Sequence, residues 1–195
     1  MTMSDISQVI TQIPTHIAVP VVVTLAALLA LAYVNRHRLR LAWLNLKTRF
    51  CLDRLGLEQI SGLRCPDGLG HEFSIDRVLL RHDGITLLIT KQYPGKIYCS
   101  DNIDDWTQML GSKSFRFSNP LYELDHQIQA LAHCLPGIAV DGYLFFDSLA
   151  EFPRGHPDRV IHPDSIPLAI RRNNRHEVDM QVMQAWKTLK RMADG

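Results

Sequence analysis

The sequence contains no CxxC pair, no HExxH and no tight group of histidines. These absences exclude a zinc knuckle, a thioredoxin-type redox pair and a helix-borne metalloprotease site. The four cysteines, Cys51, Cys65, Cys99 and Cys134, stand far apart; in a cytoplasmic domain they are expected to be reduced and partly buried. His126 and His133 are two turns apart on an expected helix and read as solvated residues. There is no internal repeat and no low-complexity segment. A basic excess is missing from the body as well: residues 55–195 carry 15 Lys and Arg against 18 Asp and Glu. That balance argues against a strong grip on nucleic acid over the whole surface and leaves only a local patch open.

Charge is also absent from Ile17 to Val34, "IAVPVVVTLAALLALAYV". A helix of this length spans about 27 Å, close to the roughly 30 Å hydrocarbon core of a bilayer. Within the run the Thr24 hydroxyl can bond back to its own helix, and Pro20 falls in the first turn, where a missing N–H does little harm. A cleaved signal peptide would carry positive charge before the run, yet residues 1–16 hold no Lys or Arg and one acid, Asp5. The basic residues follow instead: Arg36, Arg38, Arg40, Lys47, Arg49 and Arg54, against Asp53 alone. The flanks therefore point to an uncleaved anchor in the cell inner membrane, with residues 1–16 outside, 17–34 spanning, and the C-terminal domain in the cytoplasm. A cleaved signal and a buried soluble helix are the competing readings.

Residues 35–56 read as a basic amphipathic juxtamembrane helix that ends near Leu55-Gly56. Leu39, Trp43, Leu46 and Phe50 recur on one face, which is expected to pack on the domain in preference to the membrane surface, while the positive charge can meet anionic lipid. Residues 57–195 form the main domain. Strands are expected at "EQISGLRCP", "FSIDRVLL", "ITLLITK", "GKIYCS", "GYLFF" and "RVIHP", with turns at Pro66-Asp67-Gly68, Asp83-Gly84 and Pro94-Gly95. Residues 101–118 read as a loop anchored by Trp106. Asn119-Pro120 opens a helix to about His133 with Leu121, Leu124, Ile128 and Leu131 on one face, and residues 176–192 close the chain with another. The fold class is α/β: an N-terminal transmembrane helix followed by a mixed sheet flanked by helices.

The strand end "LLITKQYPGK" raises a chemical question. Ile89 and Lys91 share a strand face, and a catalytic lysine at such a place usually has a carboxylate beside it. The ordered set Pro66-Asp67-Gly68, Ile75-Asp76, Gly84-Ile85, Lys91, Gly95-Lys96-Ile97, Trp106, Asn119-Pro120 and Gln127, over about residues 57–168, resembles the nuclease-related domain (NERD) family. That family belongs to the restriction-endonuclease-like, PD-(D/E)xK group. The resemblance implies a restriction-endonuclease-like sheet, Asp76 and Lys91 as the site, and magnesium as the cofactor of an active member. Two departures stand out: the family's Glu-x-Lys becomes Ile89-Thr90-Lys91, and no acid lies near Trp43 to Lys47 where the family's first helix often carries Gly-Glu.

An active site of this kind holds a metal with two carboxylates while a lysine orients water. Isoleucine coordinates nothing, so Asp76 alone is left as a weak metal ligand. The simplest reading of Asp76 is then a structural pair with Lys91 across the hairpin. Glu72 lies roughly 13 Å along the strand, too far to share a metal, whereas Asp101 or Asp104 could fold back. Gln92, Lys96 and Asn119 are the candidate nucleic-acid contacts, with Asn119 equally suited to capping a helix. The expectation is a single-pass membrane protein whose nuclease-related domain has lost catalysis and binds lipid, nucleic acid or a protein partner. The alternative is a magnesium-dependent nuclease with a relocated carboxylate.

Overall fold

The computed structural model describes residues 15–66, 72–172 and 177–193. The segment 1–14 and most of the Pro66-Asp67-Gly68 turn lie outside the described residues, as does the Glu72 side chain. The chain divides into two units, Met1–Trp43 and Leu44–Gly195, with the boundary inside a helix.

Helix α1 is Thr15–Val34 and helix α2 is Arg36–Leu52. The break falls at Asn35, whose backbone N–H and side-chain amide both donate to the Leu31 carbonyl at 2.9 Å. No single helix among the described residues is long and apolar enough to cross a membrane; Pro20–Val34 and Arg36–Leu52 pass that test together, bent by 71°. The apolar side chains of α1, among them Val22, Leu25, Leu28 and Leu31, are each more than half exposed.

The face that α2 uses differs from the one expected. Leu39, Trp43, Leu46 and Phe50 are 55 to 65% exposed, while Thr48 and Leu52 are buried. At about 100° per residue, positions 48 and 52 lie on the opposite side of the helix from 46 and 50. Leu52 belongs to a compact cluster with Leu55, Leu79, Leu88, Phe145, Ile161 and Ile170, and that side alone meets the sheet. The helix also ends at Leu52, before Leu55, which forms a bridge with Arg171.

The first sheet comprises β1 (Gln59–Pro66), β2 (Glu72–Leu80), β3 (Ile85–Lys91), β7 (Val140–Phe146) and β9 (Val160–Ile161), in the order β1-β2-β3-β7-β9. The first two pairings are antiparallel, and β3–β7 and β7–β9 are parallel. Its two faces carry separate cores, and β3 divides between them: Ile85, Leu87 and Ile89 join one cluster and Leu88 the other. Helix α3 (Pro120–Cys134) covers β7, where Gly142 leaves so little space that an added Cβ would meet Leu124 Cδ1 at 2.8 Å. Helix α4 (Met180–Ala193) buries Val182, Trp186 and Leu189. It starts at Met180, later than expected, because the Asp179 carboxylate accepts from the Gln181 N–H at 2.7 Å and caps it there.

Residues 101–118 are not a loop. They hold a hairpin, β5 (Asp105–Leu110) and β6 (Lys113–Ser118), in a second sheet of order β6-β5-β4-β8 with β4 (Gly95–Tyr98) and β8 (Ala150–Glu151). The signal was a period of two, Trp106, Gln108 and Leu110 against Phe115 and Phe117. Polar outward residues on a thinly buried edge masked it. Trp106 is fully buried, and its indole donates to the Ser100 carbonyl at 3.0 Å, in keeping with the expected apolar anchor.

Candidate functional site

Strand β3 ends at Lys91, at the edge of the parallel pair β3–β7, and β2 supplies Asp76 beside it. The β2–β3 ladder covers only Arg77–Leu80 of β2, whereas β1–β2 pairing runs on to Glu72. Strand β2 thus leaves β3 before Asp76, and beyond Leu88 the backbone of β3 loses its partner on that side while β7 stays paired on the other. A buried or half-buried N–H left unpaired is costly. The Asp76 carboxylate fills the gap, accepting from the Thr90 N–H at 2.8 Å. The expected Asp76–Lys91 pair does not form. Lys91 instead donates to Glu123 at 2.6 Å, because Lys91 points toward the first turn of α3.

Glu123 is the residue that sequence reasoning missed. It sits in the first turn of a helix whose start was legible, on the same side as Gln127 one turn later. The Gln127 amide donates to Glu123 at 3.4 Å, and Gln127 is buried. No linear motif joins position 91 to position 123; the helix crossing brings them together. On the other side of Lys91, Asp147 at the end of β7 is buried, donates its N–H to the Lys91 carbonyl at 3.4 Å, and turns its carboxylate onto the Leu149 N–H at 2.9 Å. Thr48, on α2, meets Ser148 at 3.1 Å.

The other candidates are dispersed. Ile89 is 3% exposed and packed inside the core. Gln92 and Lys96 are exposed. Asn119 is 2% exposed; its oxygen accepts from the Leu121 N–H at 3.0 Å and caps α3, while its NH2 group donates to the Ile103 carbonyl at 2.9 Å. Asp104 does not fold back toward Asp76, since its carboxylate accepts from the Tyr122 hydroxyl at 2.8 Å. His156 and His162 come within 5.6 Å between ring centroids, and burial, with His156 beside it, lowers the His162 pKa from its ordinary value. Burial pushes the Cys65 thiol up to about 11 and Cys99 up to about 12, so both stay protonated and weakly nucleophilic at neutral pH. A groove of about 850 Å³ opens at the opposite end of β3, lined by Arg81, His82, Ala139 and Asp179 among others.

A magnesium ion asks for carboxylate oxygens free to face it. Here one oxygen of Asp76 serves the backbone and Glu123 serves a lysine, and no three His, Cys, Asp or Glu side chains among the described residues are grouped to hold a metal ion. The donor set does not fit a magnesium centre. The arrangement satisfies the Thr90 N–H and pairs the Lys91 amine with a carboxylate. The model of the nuclease-related domain family, NERD, matches residues 38–147, from within α2 to the end of β7. No curated protein and no solved structure matches the chain.

Proposed function

This chain belongs to the nuclease-related domain family, and we propose that it is a catalytically silent member, tethered to the cell inner membrane, whose domain serves as a binding module. One observation carries the loss of catalysis: the side chain beside Lys91 on β3 is Ile89, sealed in the core, while Glu123 occupies the amine. Isoleucine offers no oxygen to a metal, and the carboxylate nearest the Lys91 amine comes from α3 and not from β3. Anchoring is supported by the uncharged stretch 17–34, its exposed apolar side chains and the basic residues that follow it. The partner chemistry that suits the domain is lipid, nucleic acid at a local patch, or protein.

A second reading has Glu123 in its favour. It is a carboxylate at the catalytic lysine, delivered by a helix instead of by β3, and so the kind of relocated acid an active enzyme would need. The purified full-length chain in mild detergent, with magnesium or manganese, separates the two. The expected result is no cleavage of single- or double-stranded DNA or RNA above that of Asp76→Ala and Lys91→Ala. Cleavage that those variants and Glu123→Gln abolish would overturn the silent reading in favour of the relocated site. Salt-sensitive retention of nucleic acid or lipid by the same preparation is the expected mark of the binding role.

A further inference from the structure

Helix α2 presents two apolar faces, and the domain uses only one. Leu44, Thr48, Cys51 and Leu52 lie on the inward side, half-buried or buried. Leu39, Trp43, Leu46 and Phe50 fall within about 60° of one another on the opposite side, and all four are more than half exposed. Helical spacing sets Arg36 and Arg40 along one border of that stripe and Arg38 and Arg49 along the other, all exposed. Arg54, just past the helix, rests its guanidinium 3.9 Å from the Phe50 ring centroid.

We propose that the outward face of α2 lies flat on the anionic headgroup surface of a membrane, as an interfacial helix separate from α1. The inference rests on the anchored reading above and adds what the second helix does. An apolar strip bordered on both sides by arginines suits an interface, where the rings and leucines enter the acyl boundary and the guanidinium groups reach back to phosphates.

Charge selects the occupant. Residues 35–56 carry six basic residues and one acid, which matches anionic lipid. A second copy of the stripe packed across a two-fold axis would bring like charges face to face. Nucleic acid would satisfy the arginines and leave the apolar strip in water.

The test uses the full-length chain incorporated into vesicles whose acyl chains carry bromine, a short-range quencher of indole fluorescence. Trp106 and Trp186 are at most 1% exposed, which leaves Trp43 as the reporter. In phosphatidylcholine–phosphatidylglycerol vesicles, bromine is expected to quench a component of emission that Trp43→Phe lacks. Adding Phe50→Trp to that variant is expected to restore the quenching, which a straight continuation of α1 would not allow, since it would carry position 50 about 24 Å beyond Val34. In phosphatidylcholine alone, or with Arg36, Arg38, Arg40 and Arg49 changed to Gln, quenching at position 50 is expected to fall at least about threefold. An incorporated chain with no quenching at position 50 overturns the interfacial helix and leaves the anchor standing. Equal quenching in both lipids overturns the anionic preference. A chain that fails to float with the vesicles overturns the anchor itself, and this inference with it.

Discussion

At the scale of single residues, position 89 decides the character of the site. An isoleucine 3% exposed contributes to a core, whereas Lys91 and Glu123 form an ion pair whose side chains are 19% and 49% exposed. Solvent screens such a pair, and its removal costs at most about 1 kcal/mol. Truncating a buried isoleucine costs about 2–5 kcal/mol. Thermal unfolding of the full chain in mild detergent is therefore expected to place Ile89→Ala well below Glu123→Ala in melting temperature; the reverse order would mean that position 89 is not core. The sequence made Ile89 visible as a missing ligand because β-strand alternation puts it beside Lys91. It did not reveal Glu123, since nothing local records which residue a lysine meets across a helix crossing. Asp76 shows the same limit: its acid was legible, but its task, serving the Thr90 N–H where β2 departs, depends on where a neighbouring strand stops.

At the scale of elements, two contacts are open to direct test. Gly95 sits at φ +89°, and a Cβ there would meet the Met109 carbonyl oxygen at 2.5 Å and the Leu110 side chain at 2.9 Å. Gly95→Ala is expected to cost about 1–3 kcal/mol and to loosen the second sheet, visible as a lower melting temperature and faster amide exchange in β4 and β5. Helix α4 is held to β1 through Glu58, which accepts from Trp186 at 2.7 Å and from Lys190 at 2.5 Å. The hydrogen bond from Lys190, then the one from Trp186, holds the Glu58 pKa below its ordinary value. A depressed carboxylate stabilises the fold above its unfolded pKa and loses that contribution as the pH falls through the folded value. Acidification below the ordinary glutamate range is thus expected to weaken α4 docking in the parent and to matter less in Glu58→Gln, as read by Trp186 fluorescence against pH. The helices and the strands of the first sheet were legible because their apolar spacing is strong. The β5–β6 hairpin was not, because its outward residues are polar and its edge is barely buried.

At the scale of the whole molecule, the anchored reading rests on the apolar run and the basic residues after it. The anchored reading predicts that the full-length chain stays with membranes through a carbonate wash. Val23→Arg with Leu28→Arg is expected to release it, since an arginine at the centre of a spanning helix costs roughly 2.5–3.5 kcal/mol; retention of the double variant would count against α1 as the anchor. The amino-acid sequence by itself determined the elements with strong periodicity, the family motif order and the isoleucine before Lys91, because each depends on residues close along the chain. Only the tertiary structure decided that Lys91 pairs with Glu123, that Asp76 serves a strand backbone, and that α2 turns Thr48 and Leu52 inward and Phe50 outward. Those outcomes depend on the packing of elements that are distant in sequence, and on which of two apolar helix faces finds a complementary core.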